Sequence, residues 1–140
     1  MSALLLWPQC GAGDVCIYIY IYIYIYIYIY ILGARASFGL TAAGDSIFAL
    51  GGCDGEVVLD TVESWDIRGT GAWRTEAPLQ FARANLGACC VGERLYAVGG
   101  WDASRDLAIV ESFSLASRTW REEAELSIPR SNLAIAVLCR

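Results

Sequence analysis

Between Arg35 and Arg130 the chain says the same thing twice, and the interval from Gly51-Gly52 to Gly99-Gly100 is 48 residues. A period of that size means repeated supersecondary units that bury their apolar faces on one another. Several landmarks keep the offset: Arg35 with Arg83, Gly44 with Gly92, Phe48 with Tyr96, Asp54 with Asp102, and Val62-Glu63-Ser64-Trp65 with Val110-Glu111-Ser112-Phe113. Trp73 and Trp120 are 47 apart, so one residue is missing from the loop before Trp120. A third copy opens at Ser127, with Arg130-Ser131-Asn132-Leu133-Ala134 standing against Arg83-Ala84-Asn85-Leu86-Gly87.

Each copy reads as four short strands. In the second copy these are 85–91, 94–98, 108–115 and 119–126. In the first they are 36–43, 46–50, 59–67 and 72–79. Gly92-Glu93 between two apolar runs suits a two-residue hairpin, because glycine tolerates the positive φ such turns demand. Four antiparallel strands per unit of nearly fifty residues is the cadence of a propeller blade. The diglycine that ends the second strand admits close approach of a neighbouring backbone or ring. Trp73 or Trp120, on the outer strand, is the expected filler of that space.

A short apolar strand, Gly-Gly, an acidic loop, Val-Glu-Ser-aromatic and then a tryptophan about eight residues later together resemble the Kelch repeat. The likeness covers about 34–140 and rests on Gly51, Gly52, Trp65 and Trp73 in one copy and Gly99, Gly100, Phe113 and Trp120 in the other. It implies an all-β fold: an incomplete Kelch β-propeller of two four-stranded antiparallel blades plus the first strand of a third. The blades would be 34–79 and 80–126, with a partial blade at 127–140. It also implies a protein-binding platform rather than an enzyme. Many Kelch-like relatives present substrates to cullin-type ubiquitin ligases through BTB and BACK domains, and others bind actin; neither of those domains is recognisable here. Propellers usually close with four to eight blades. The expectation is therefore a piece of a longer gene product, with a short isoform of low stability as the alternative and a ring built from several chains less favoured.

Residues 1–33 are a different kind of object. From 17 to 31 the chain is strict Ile-Tyr alternation, a monotony no core requires. A TA dinucleotide repeat reads as ATA and TAT, hence Ile and Tyr, in every frame, and Val15-Cys16 fits a GT repeat running into it. The rest of the chain lacks lysine and holds only five Ile, as GC-rich coding DNA would. The tract is thus read as a translated microsatellite, outside the fold. If made, it favours strands and aggregation, since period two puts every Tyr on one face and every Ile on the other. The competing reading is a membrane span over 15–32, eighteen residues without charge, which is the length at which a span becomes a candidate. Asp14 before it and Arg35 after it would then leave the propeller cytoplasmic. Tyrosine at half the positions argues against that span, because aromatic rings prefer membrane interfaces. Residues 1–11 carry no Lys or Arg and only a short apolar run, a poor secretory signal.

Composition narrows the function classes. A formal charge of −5 without a basic stretch argues against nucleic acid, whose phosphates need clustered cations. The chain has no histidine, so the commonest general base and metal ligand is missing. No phosphate loop or nucleophile elbow is present. Acidic pairs such as Asp54 with Glu56, or Glu122 with Glu123, read as solvated loop and edge charges. Cys10, Cys16, Cys53, Cys89, Cys90 and Cys139 show no zinc-type spacing. Cys89, Cys90 and Cys139 lie in apolar first-strand runs and read as buried small hydrophobes. Reduced thiols and a cytoplasmic location are expected, with no catalytic residue, metal or cofactor.

The resemblance also places a binding surface. In Kelch-like propellers partners dock on the loops after Gly-Gly and on the loops leading into each first strand. By position these supply Cys53 and Asp54, then Trp101, Asp102, Ser104 and Arg105, and, before the first strands, Ser37, Asn85 and Asn132. Trp101 is the leading contact, since a loop tryptophan is a large anchor of the kind enriched in hot spots; packing against the adjacent blade is its alternative. Asp102 and Arg105 could pair with each other or face a ligand. Some relatives line this mouth with arginines that grip acidic peptides, where this chain has Asn85 and Asn132. Arg83 and Arg130 recur with the repeat, so a structural task such as bonding a neighbouring loop is expected of them. The function expected is a non-catalytic interaction module, as part of a ubiquitin-ligase substrate adaptor, an actin-associated scaffold, or a membrane-anchored propeller fragment if the tract spans a bilayer.

Overall fold

Gly44 and Gly92 stand at φ 57 and 58, and each opens a two-residue turn between strands that pair from Ala43 with Ser46 and from Val91 with Arg94. These hairpins start the two sheets of a computed structural model that describes residues 34–69 and 72–138, within a unit spanning Ile31–Arg140. The Ile-Tyr tract, its membrane-span alternative, Cys10, Cys16 and Cys139 lie outside the described residues. Among those residues no helix is long and apolar enough to cross a membrane.

The first sheet runs β1 (Gly39–Ala43), β2 (Ser46–Leu50), β3 (Val62–Asp66) and β4 (Trp73–Thr75), in that spatial order. The second repeats it with β5 (Gly87–Val91), β6 (Arg94–Val98), β7 (Val110–Ser114) and β8 (Thr119–Glu122). All neighbours are antiparallel. The fold is all-β, two four-stranded blades of an incomplete propeller. Ladders are shorter than the apolar runs suggest, because the chain beyond each ladder still makes single backbone bonds without pairing continuously. Gly51 donates to Thr61 at 2.9 Å, Leu59 to Gly52 at 2.8 Å and Leu79 to Asp60 at 2.8 Å.

One core joins the blades. Phe48, Leu50 and Val62 of the first meet Leu86, Leu95, Ala97 and Phe113 of the second. Phe48 and Phe113 stack tilted at 6.2 Å between centroids, and Phe113 and Trp120 at 5.1 Å, within the range in which tilted aromatic pairs attract. Trp120 also ties the blades by donating its indole N–H to the carbonyl of Ala77 at 2.8 Å.

Residues 133–138 hold the place expected for the first strand of a third blade but make no ladder among the described residues. They nevertheless stack as their counterparts do. Asn132 donates its amide to Asn85 O at 2.9 Å just as Asn85 donates to Ser37 O at 2.7 Å. Leu133 and Ile135 cover Gly87 as Leu86 and Ala88 cover Gly39.

Two expectations are corrected. The indoles do not fill the diglycine space. Trp73 pairs with Trp65, which pairs with Ile47, four positions from Gly51 and so roughly 13 Å along the strand from it. Backbone fills the space instead: a Cβ at Gly51 would meet Arg83 O at 2.3 Å, and one at Gly52 would meet Ala36 O at 2.7 Å. Cys89 and Cys90 are half-buried rather than buried, with free thiols, because Cys89 lies on the face of β5 turned from the first blade and Cys90, though packed against the core, sits at the exposed hairpin end with its thiol near Gly92 O.

Candidate protein-interaction site

The loops after the diglycines are built alike. Cys53 forms isolated bridges with Ala36 and Val58, and Trp101 does the same with Ala84 and Asp106. The bridges hold each post-diglycine loop against the segment leading into the same blade's first strand. Within the loops an aspartate closes the turn with its own side chain. Asp54 Oδ1 accepts the amides of Glu56 and Val57 at 2.9 and 2.8 Å. Asp102 Oδ1 accepts the Ser104 amide at 2.9 Å, its hydroxyl at 2.7 Å and the Arg105 amide at 2.9 Å. The Ser104 hydroxyl, the same residue's amide and the Arg105 amide hold the Asp102 carboxyl down to about 2. Bonds from the amides of Val57 and Glu56 likewise lower Asp54. Both aspartates are therefore anions that order their loops.

Of the two uses expected for Asp102 and Arg105, the structure has them paired, with Arg105 Nε 3.5 Å from Asp102 Oδ2, and the guanidinium left largely in solvent. Trp101 is tied down by its backbone while 36 % of its surface stays exposed. Its bonds with Ala84 run both ways, at 2.9 and 2.8 Å. The result is an amphipathic ring on a fixed stem, a form that loses little conformational freedom on binding.

Ser37, Asn85 and Asn132 have φ of 56, 54 and 51. Left-handed backbone suits asparagine better than most residues. Their main chains form a line of bonds running from blade to blade, so these positions set the mouth of the stack as well as lining it. Ser37 and Asn132 are exposed and Asn85 half-buried. Loop 101–106 carries local strain at Ala103, whose φ of 79 is matched in the first blade by Gly55 at 102.

The structural task expected of Arg83 and Arg130 is found at Arg83 and also at Arg35, whereas the exposed Arg130 side chain makes, among the described residues, only a 3.5 Å contact with Ile128 O. Arg83 is fully buried, and its Nη1 donates to Gly99 O at 3.0 Å and Ile109 O at 2.9 Å while Nη2 pairs with Glu111. Arg35 repeats the arrangement on Gly51 O at 3.1 Å, Thr61 O at 3.2 Å and Glu63. Glu111, also fully buried, further accepts the Gln80 amide at 2.7 Å. Burial pushes the Glu111 carboxyl up and the Arg83 guanidinium down, and the hydrogen bonds between them and to the backbone offset that cost. The Arg83 carbonyl meanwhile accepts from Gly52 at 2.9 Å. One residue thus braces its own blade by its side chain and the preceding blade by its backbone. A signal for the glutamates was present: Glu63 and Glu111 recur at the arginines' own offset, within strands otherwise apolar or small.

Glu76 and Glu123 are also in structural use. Ser64 and Ser112 donate their hydroxyls to Glu76 and Glu123 at 2.5 and 2.6 Å. Glu76 receives Arg118 from the second blade, whose guanidinium lies 5.7 Å from the Phe113 ring centroid. Among the described residues no group of three or more His, Cys, Asp or Glu is placed to hold a metal ion.

The Kelch motif model matches residues 34–80 and 82–127. The chain belongs to the Kelch-repeat family. Its two matched copies coincide with the two four-stranded blades. A comparison with curated proteins finds no match. Kelch motifs mark a protein-interaction module, on a fold that is generally non-catalytic.

Proposed function

We propose that the Kelch blades of this chain bind a protein partner through the post-diglycine loops, without catalysis, and serve in substrate recognition for a cullin-type ubiquitin ligase. The observation that carries the loop assignment is Trp101, a half-exposed indole whose backbone is locked to Ala84 and whose neighbour Asp102 rigidifies the rest of the loop. Anchors of this type dominate interface energetics when they enter a partner's pocket. Arg105, mostly in solvent, and Asn132 flank it with polar groups able to complete a rim. The net charge of −5 favours a partner with a basic surface.

Affinity capture from cells with the full chain tests the assignment in two steps. Enrichment of cullin supports the adaptor role, while co-sedimentation with actin filaments and no cullin would reassign the module to a cytoskeletal scaffold. Trp101→Ala is expected to weaken capture of the partner by about tenfold or more, the loss of a hot spot of about 2 kcal/mol, with the melting temperature unchanged. Undiminished capture by that variant would remove the loop assignment.

A further inference from the structure

We propose that Ser104 is a phosphorylation site through which partner capture by the 101–106 loop is regulated, the phosphate being held by Arg105; the regulatory part rests on the reading of that loop as the docking surface. The loop is pinned at its base and open at its tip. Trp101 bridges to Asp106, and the Asp102 amide donates to Arg105 O at 3.2 Å, which leaves Ala103 and Ser104 exposed at the turn. The Ser104 hydroxyl donates to Asp102 Oδ1 at 2.7 Å and makes no other bond among the described residues. Beside it, the Arg105 guanidinium lies largely in solvent, held only by its 3.5 Å pairing with Asp102.

The first blade shows that this position accepts an anion. Glu56 stands 48 residues before Ser104, exposed at the tip of a turn closed in the same way. There the Asp54 amide donates to Val57 O at 3.3 Å, and Asp54 Oδ1 accepts the amides of Glu56 and Val57. That turn is complete with two amide bonds to its aspartate and a carboxylate side chain where the second loop has a hydroxyl. Phosphorylation removes only the hydroxyl bond to Asp102 and leaves the same two amide bonds, from Ser104 and Arg105. The turn therefore survives, with a charge of the sign its counterpart carries permanently. Arg105 moves from Asp102 to the phosphate, whose three oxygens accept charge-assisted bonds stronger than an exposed 3.5 Å pairing. The strained φ of 79 at Ala103 lowers the cost of opening the tip into a kinase cleft. In the transfer a protein kinase supplies a nucleoside triphosphate. The Ser104 Oγ–P bond forms, the bond between the γ-phosphorus and the β–γ bridging oxygen breaks, the hydroxyl proton passes to the kinase's base, and the diphosphate leaves. The new charge lands three residues from Trp101 and strengthens the attraction of a basic partner surface.

Two measurements on the full chain test the site without any partner. Tandem mass spectrometry of the chain recovered from cells with phosphatases blocked is expected to find phosphate on Ser104. With phosphoserine encoded at position 104, the second ionisation of the phosphate, read by phosphorus NMR, is expected about 0.4 lower than in the same chain carrying Arg105→Ala. A third measurement tests regulation: the phosphoserine chain should capture its partner about three- to tenfold more strongly than the unmodified chain, and the gain should vanish in about 1 M salt, where the Debye length falls to about 3 Å. An unmodified Ser104, or an ionisation that Arg105→Ala leaves in place, overturns the proposal. Equal capture with and without the phosphate, while Trp101→Ala still weakens it, overturns the regulatory role alone. Undiminished capture by Trp101→Ala instead removes the loop reading and the regulation built on it, an outcome told apart because the two partner-free measurements do not depend on it.

Discussion

At the scale of single residues, the backbone of this repeat depends on a few left-handed positions with unequal tolerance. Gly51 combines φ 60 with an Arg83 carbonyl 2.3 Å from where a Cβ would stand, whereas Gly44 at φ 57 faces open space. Gly51→Ala is therefore expected to cost more than about 2 kcal/mol in urea unfolding, the left-handed penalty plus displacement of the Arg83 backbone, while Gly44→Asn costs under about 1. Ala103→Gly should gain stability, up to about 1 kcal/mol, by relieving the strained φ that Gly55 adopts freely in the first blade. Asp102 supplies a pH test with a defined sign. Its carboxyl sits near 2, below the ordinary 3.8, so its ordering of the loop is complete above about 3.8 and is lost as pH falls through about 2. The carboxyl carbon resonance should titrate near 2, and Ser104→Ala should raise the midpoint toward the ordinary value by removing the hydroxyl bond. The glycines and aspartates were legible in the sequence because turn chemistry is local. What they pack against was not: the diglycine seats a carbonyl from the next blade, and no local pattern distinguishes that from an indole.

At the scale of elements, the strands are held by pairs that sit across the sheet. Arg83 and Glu111 are both without solvent exposure, and removing one leaves the other as a buried unpaired charge. Glu111→Ala is expected to destabilise the fold by about 3–5 kcal/mol, measured by denaturant unfolding, whereas replacing both residues by apolar ones of similar volume costs much less. Trp120→Phe keeps an aromatic ring against Phe113 but strands the Ala77 carbonyl, at about 1–2 kcal/mol. Strand order and hairpins followed from the repeat and the Gly-acidic turns, since the same signals recur twice. Strand lengths did not, because extended segments such as 59–61 bond backbone groups one at a time and read in sequence like ladder. The arginine clamp escaped for a different reason. Arg35 and Glu63 are 28 residues apart, as are Arg83 and Glu111, and only the closed blade brings each pair together.

At the scale of the whole molecule, stacking is what makes the repeat a structure. Each blade presents one face to a core shared by Phe48, Phe113 and Leu95, and its backbone is stitched to the next through Gly52, Arg83, Ser37 and Asn85. The loops proposed for partner capture are set by the same stitching, so recognition and stability draw on one set of bonds. That two units of nearly fifty residues form blades was readable from spacing alone, while the role of Ser37, Asn85 and Asn132 in aligning those blades came only from their backbone geometry. The most direct measurement of the stacked arrangement is native-state exchange at the amides of Gly52 and Asn85, which donate between blades, and at the indole N–H of Trp120, which donates to Ala77. The account predicts that all three exchange about as slowly as the central amides of β2, because each opens only when the blades part. Exchange of these three groups at the rate of exposed loop amides, with β2 still protected, would contradict it.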